Sequence, residues 1–412
     1  MLTSLIALAL LSATSPAQSV VSINPPVKND IQPFEIEGGP QAIALGDLNG
    51  DFRPEIVVAN RYNESVTVLL NNGNGSFSFM SSYWVGSFPA ALVLSDFNED
   101  GKLDLAVANS GSNTISVLTG AGDGAFDKKN DYATGNLPCA IAAGDLNGDK
   151  RPDLVAANRY GNTVSVLLAN GDGSFKSSVD YEAGRLPRSV VINDFNRDGK
   201  ADIIVTSLFD HSASVLPGKG DGSFGAAYQY LKGRSGLAAI PDLDGDGRCD
   251  FVEMSRDGNS VSVHPSSLIK NAGSNAVYTT GCGPCSVTEA DINRDGIRDL
   301  IVANAGVYPT FIGSVSVLLG RRDGSFCVQE HYSTGSATQA AIAGDVDGDG
   351  LIDIVVANGC YDFGGGVSVL YGAGDGALGS RTDYSIGGHI IWVSFSDDAD
   401  GKADTKSLWI QK

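Results

Sequence analysis

Charge is scarce in this sequence. Charged side chains make up 18% of its 412 residues, against about 25% in ordinary globular chains, and only 28 residues are Lys or Arg. With 48 acids against them and a net charge of −20, so few cations argue against nucleic acid or anionic bilayers as partners. Long apolar runs are also missing. No internal stretch approaches the ~18–20 residues of a spanning helix, so no membrane insertion is expected. The four histidines, His211, His264, His331 and His389, share no spacing that suggests a zinc site. No G-x-S-x-G, H-E-x-x-H or phosphate-cradling motif occurs, which argues against an enzyme. Sustained helical periodicity is absent.

Glycine, at 52 residues, and acid, at 48 Asp plus Glu, are what the chain has in excess. The formal net charge is −20. With 42% hydrophobic residues the chain can bury a large core. Its first 18 residues carry no charge; Leu5 to Leu11 are apolar, and Ser15-Pro16-Ala17 fits a small-x-Ala cleavage site. Residues 1–17 therefore read as a signal peptide, although without the usual basic start, and 18–412 as one domain. Export predicts a secreted, extracellular protein, or a periplasmic one in a bacterium.

One unit recurs along the chain. It is seen as GDLNGDFRPEIVVAN (46–60), SDFNEDGKLDLAVAN (95–109), GDLNGDKRPDLVAAN (144–158) and NDFNRDGKADIIVTS (193–207). PDLDGDGRCDFVEMS (241–255), ADINRDGIRDLIVAN (290–304), GDVDGDGLIDIVVAN (344–358) and a worn SDDADGKADTKSLWI (396–410) continue it. The period is about 49 residues. Each unit reads as four strands: an apolar run enters the acidic loop, a second leaves it, and a third, such as Thr163–Leu168, alternates as a half-buried strand would. A G-D-G-S-F turn then leads into the fourth. All-β four-stranded units in this number predict a β-propeller. Eight acidic loops favour eight blades over seven. The eighth would close the ring by pairing strands from Ser19–Gly38 with strands from 386–412, hiding the sheet edges.

The loops share the pattern D-x-[DN]-x-D-G-x-x-[DE]. Positions 1, 3, 5 and 9 are Asp47, Asn49, Asp51 and Glu55 in the first loop, and Asp96, Asn98, Asp100 and Asp104 in the second. The third has Asp145, Asn147, Asp149 and Asp153, and the fourth Asp194, Asn196, Asp198 and Asp202. The fifth has Asp242, Asp244, Asp246 and Asp250, the sixth Asp291, Asn293, Asp295 and Asp299, and the seventh Asp345, Asp347, Asp349 and Asp353. In the eighth, Ser396 precedes Asp398, Asp400 and Asp404. Alternate oxygens on a curling loop suit Ca²⁺, which takes six to eight hard ligands, and Gly at position 6 permits the turn. More than half of all the acids occupy these positions. Without cations they would repel one another, so up to eight calcium ions are expected. The fifth and seventh loops, with four carboxylates each, should bind best. Phe52, Lys150 and Ser396 weaken the first, third and eighth. The competing reading of any single loop is an Asx-turn hairpin without metal.

These repeats resemble the FG-GAP or VCBS type of integrin α-subunit heads and of secreted propellers that include lectins. The resemblance covers nearly the whole mature chain. It implies a propeller with calcium between the first and second strands of its blades, and it leaves function open among adhesion, glycan binding and accessory roles in enzymes.

In a propeller the 1–2 and 3–4 connections share one face, and the 2–3 and blade-to-blade connections share the other. Calcium would rigidify the first and leave the second free to bind. Candidate ligand-contacting residues on that second face are Tyr62, Trp84, Tyr160, Tyr308, Phe311, Tyr361 and Phe363, with Arg61, Phe88 and Arg159 beside them. Aromatic and Arg side chains on loops suit sugars or a protein partner; the plainer reading is packing between blades. Six Cys in an exported chain make disulfides plausible. Cys282-Gly283-Pro284-Cys285 spells a redox motif, but no helix N-terminus is available to activate it. The sequence thus predicts a calcium-binding extracellular module for glycan or protein. A calcium-dependent polysaccharide lyase or hydrolase, and a purely structural protein, are the alternatives.

Overall fold

The computed structural model describes residues 22–23, 33–34, 39–207, 209–232, 236–240, 243, 249–255, 257–266, 276–307, 310–359 and 365–386. From Pro40 onward they form seven antiparallel four-stranded blades in sequence order. Blade 1 comprises Pro40–Gly46, Glu55–Asn60, Ser65–Asn71 and Phe77–Trp84. Blades 2 to 7 begin with inner strands Pro89–Ser95, Pro138–Gly144, Pro187–Asn193, Leu237–Ile240, Pro284–Ala290 and Thr338–Gly344. Counting Pro40 of blade 1, proline opens five of the seven inner strands, at a position where the missing N–H costs no ladder bond.

Second strands such as Glu55–Asn60, Asp104–Asn109 and Asp299–Asn304 are buried at every residue. Neighbouring blades cover both of their faces, so an unbroken apolar run is what the position demands. Each core cluster spans two blades: Val155, Ala157 and Val164 of blade 3 pack with Ile203, Val205 and Leu216 of blade 4.

The third strand corrects the half-buried expectation. Ser165, the polar member of its alternation, is fully buried. It receives a hydrogen bond from Asn158 Nδ2 (2.8 Å) and donates to Asp180 Oδ1 (2.6 Å). The same relay runs Asn109–Ser116–Asp131 and Asn358–Ser368–Asp383. In blade 6, Asn304 reaches Ser316, which bonds His331 Nδ1 at 2.7 Å. Alternation there reports a satisfied polar spine rather than solvent, because a buried hydroxyl must be paired.

Blades are also stapled to one another. The Tyr83 hydroxyl of blade 1 accepts the Phe126 N–H of blade 2 (3.0 Å), and the two rings meet edge to face at 5.4 Å. Tyr132 and Phe175, Tyr278 and Phe326, and Tyr384 and Phe77 repeat the pairing. The last of these joins blade 7 to blade 1. There Asn71 Nδ2 also donates to the Val346 carbonyl at 2.6 Å, and one core cluster contains Ile43, Ile56 and Leu69 together with Val355, Val367 and Val369.

Among the described residues the ring therefore closes with seven blades, not eight, and by side-chain packing between blades 7 and 1 rather than by exchange of strands between the two ends. The N-terminal segments Ser22–Ile23 and Pro33–Phe34 add in parallel to the outer strands of blades 6 and 7. The eighth repeat, with Asp398, Asp400 and Asp404, lies outside the described residues. Its sequence departs from the repeat: Asp404-Thr405-Lys406-Ser407 is polar where the other units carry apolar residues.

Candidate functional site

The acidic loops lie together on one face, between first and second strands. In the first, Asp47 Oδ1 accepts the N–H groups of Gly50 and Asp51, and Oδ2 accepts that of Phe52. Asn49 Oδ1 takes the Asp51 N–H and Asp51 Oδ1 the Arg53 N–H. Asp96, Asp194 and Asp291 curl their loops likewise, each capping the position-6 N–H, with Asn98, Asn196 and Asn293 bonded to position 5. Asp145 and Asn147 do the same in the third loop. Asp100, Asp149, Asp198, Asp295 and Asp349 each accept the N–H two residues on.

Positions 4 and 6 have positive φ in each of these loops, whatever their side chain. Phe52 (φ 65°) and Lys150 (φ 68°) stand where Gly101 and Gly199 (81° and 82°) stand elsewhere. Left-handed backbone costs a non-glycine residue roughly 1–2 kcal/mol. Lys150→Gly is therefore expected to raise the melting temperature, part of the gain being offset by the freer unfolded chain. Thermal melting of the variant checks it, and a lowered midpoint would contradict the strain.

Position 9 is the residue whose role the pattern understates. Asp153 is fully buried; its Oδ2 accepts the Leu146 N–H (3.0 Å) and its Oδ1 the Ala169 N–H at the end of the third strand (2.7 Å). Glu55, Asp104, Asp250, Asp299 and Asp353 make the same two bonds, and Asp202 joins Asn196 to Gly218. Each thus ties the acidic loop to the third strand while keeping lone pairs on the loop side. Burial pushes the carboxyls of Glu55, Asp104, Asp153, Asp202 and Asp299 above their ordinary range, and that of Asp353 up to about 7.

Among the described residues, one trio of acids brings its ligand oxygens within 4.8 Å of one another: Asp345, Asp347 and Asp353 of the seventh loop. That carboxylate set, on a loop curled by Asp345 (Gly348 and Gly350 N–H, both 2.8 Å), fits a hard divalent cation. Asp242, Asp244 and Asp246 lie outside the described residues.

The opposite face carries the aromatic candidates. Tyr62 is 37% exposed, Trp84 72% and Tyr160 59%. Phe311 is half-buried at a positive φ of 46°, whereas Tyr308, Tyr361 and Phe363 lie outside the described residues. Tyr62 meets Phe88 edge to face at 6.5 Å, under the Arg61 guanidinium (5.4 Å to the Phe88 ring). Gly39 permits that pose, since a Cβ there would sit 2.7 Å from the Tyr62 ring. Reading the repeats missed Phe209, 53% exposed, with the Arg185 guanidinium 3.8 Å from its ring centre. Its blade replaces the Arg-Tyr pair of blades 1 and 3 by Leu208-Phe209, so register rather than residue type was the available signal.

Residues 33–95, 96–156, 145–205, 194–253 and 291–356, more than half of the chain, match the FG-GAP-like repeat. The chain belongs to the FG-GAP-like repeat family. No curated protein matches it. The FG-GAP-like fold is similar to BBS1N, solved in complex with ARL6DN (12% identity, 82% of this chain and 95% of that one, TM-score 0.57). It is also similar to an Agrocybe aegerita lectin that recognises non-reducing terminal N-acetylglucosamine (18%, 83% and 94%, 0.52). A third is a Bacteroides uniformis protein provisionally assigned as a 6-phosphogluconolactonase (16%, 78% and 93%, 0.58). At these identities the likeness is one of fold.

The FG-GAP-like ring has a cleft of about 540 Å³ at its rim between blades 3 and 4, lined by Asp180, Tyr181, Glu182, Phe224 and Gln229. It opens where the fourth strands shorten to Val179–Glu182 and Tyr228–Lys232. It is lateral rather than axial, and Asp180 is already committed to Ser165. No disulfide joins the five described cysteines. Cys139 and Cys285 occupy equivalent positions and aim their thiols at carbonyls of the next blade, Pro187 (3.3 Å) and Thr338 (3.2 Å). Burial raises the Cys139 thiol to about 11, which makes it a poor nucleophile.

Proposed function

We propose that this FG-GAP-like propeller is an exported, calcium-stabilised binding module whose ligand, a glycan ahead of a protein, docks on the face of the 2–3 connections. The observation that carries this reading is the exposure of Tyr62, Trp84, Tyr160 and Phe209, rings that packing between blades would have hidden. Tyr62, Tyr160 and Phe209 stand on short loops anchored to fully buried second strands, and Trp84 ends the fourth strand of blade 1, so the surface is held rigid before a ligand arrives. Propellers of this shape include one solved with a protein partner and one that binds a sugar. The residues proposed to hold calcium are positions 1, 3, 5 and 9 of each loop, best in the seventh, where the ion would neutralise clustered carboxylates.

A glycan array run beside a reducing-end release assay separates the readings. Binding without turnover is expected. Release of reducing ends would replace it with a calcium-dependent carbohydrate enzyme, and silence in both assays would favour a structural protein.

A further inference from the structure

Four arginines stand among the exposed rings of the 2–3 face. On the side of the acidic loops, Arg53 pairs with Asp51 (2.7 Å), Arg151 with Glu99 (3.1 Å) and Arg298 with Glu289 (3.2 Å), and Arg294, Arg321 and Arg322 stand among the many carboxylates of that face. On the opposite side, across blades 1 to 4, Arg61, Arg159, Arg185 and Arg188 form no ion pair among the described residues. Of the nearby acids, Glu64 accepts the Ser87 hydroxyl (2.6 Å) and Asp210 the Arg185 backbone N–H (2.7 Å). Arg188 lies one residue into the inner strand of blade 4, and its Nη2 reaches past blade 5 to the Cys285 carbonyl of blade 6 (3.1 Å). It therefore stands at the mouth of the central opening.

On a chain of net charge −20, four unpaired guanidiniums beside exposed rings are a cationic arc. Deepening the binding reading above, on which it rests, we infer that this arc takes an anionic polysaccharide, one bearing carboxylate or sulfate groups at regular intervals. Arginine forks match those groups bidentately, and flat rings beside them cover the apolar faces of pyranose units. The blade repeat sets Arg61-Tyr62 and Arg159-Tyr160 at equivalent connections of blades 1 and 3, with Arg185 and Phe209 following in blade 4. A periodic array suits a periodic polymer. An acidic protein would instead favour one contiguous apolar centre, whereas these rings are separated by hydrogen-bonded loops.

The test uses the full chain in calcium, titrated calorimetrically with hyaluronan and chondroitin sulfate oligosaccharides, dextran and polyglutamate. Binding to the first two is expected, weakening by about tenfold or more as salt rises enough to shrink the Debye length from about 10 Å to about 3 Å. The double variant Arg159→Ala/Arg185→Ala should lose about tenfold or more through its missing charge-assisted bonds while melting like the parent. Arg322→Ala, on the other face, should bind normally. Dextran bound as tightly, or a double variant that binds unchanged, would overturn the inference. Tighter binding of polyglutamate would transfer the arc to an acidic protein. Neutral-sugar binding that Tyr160→Ala abolishes, with no preference for charge, would overturn the anionic assignment and leave the binding face standing.

Discussion

Removal of divalent ions by a chelator is expected to lower the melting temperature markedly. An ion that binds the folded ring alone stabilises it by mass action, about 2.7 kcal/mol per site at a hundredfold excess over Kd, and several loops contribute. The seventh should matter most, because Asp345, Asp347 and Asp353 gather their oxygens within 4.8 Å. Asp347→Ala should therefore reduce the calcium-dependent gain more than Asn49→Ala in the first loop. In chelator the pH dependence has a defined sign. The carboxyls of Glu55, Asp104, Asp153, Asp202 and Asp299 have folded pKa values raised by burial, and that of Asp353 is pushed up to about 7, so the folded state holds their protons more tightly than the unfolded chain. Stability of the metal-free protein is then full at low pH and declines as pH rises from the ordinary carboxylate range, near 4, towards 7. Differential scanning calorimetry with and without calcium across that window decides it; a melting curve indifferent to chelator would remove calcium from the account.

Asp153→Ala is the substitution expected to cost most irrespective of metal. It strands the Leu146 and Ala169 N–H groups inside the ring, and each buried donor left unpaired costs about 1–3 kcal/mol. A loss of roughly 2–6 kcal/mol follows, present in chelator as well as in calcium. Asp149→Ala, which removes a half-exposed carboxylate from the same loop, should destabilise chiefly when calcium is present. Chemical denaturation of both variants in both buffers separates the strut from the ligand. Equal, calcium-dependent losses would mean that position 9 acts only through the ion.

How much of this was legible depended on the range of the cause. The spacing of Asp47, Asp96, Asp145 and Asp194 exposed the blade, because a repeat is a local pattern. Positions 1, 3 and 5 were readable as a curling loop for the same reason. The double role of position 9 was not, since its second partner is the N–H of a residue 16 or more positions away in most blades. Nor were Tyr83, Tyr132 and Tyr384, whose hydroxyls cap backbone in the next blade; a tyrosine in an outer strand looks like any other until its neighbour is placed. The alternation around Ser165 misled, because periodicity cannot distinguish a serine facing water from one facing Asn158 and Asp180.

By itself, the amino-acid order determined the four-stranded unit, the acidic hairpin tips and which connections share a face, all consequences of short-range backbone geometry and repetition. Tertiary structure alone decided that seven units complete the circle. Closure depends on how each blade's buried strands fit the next, and once Ile43 and Val355 share a core no seam remains for another blade. It alone also showed that Arg61, Arg159, Arg185 and Arg188 stand beside exposed rings without an ion pair among the described residues, since ion pairing depends on which loops the closed ring brings together.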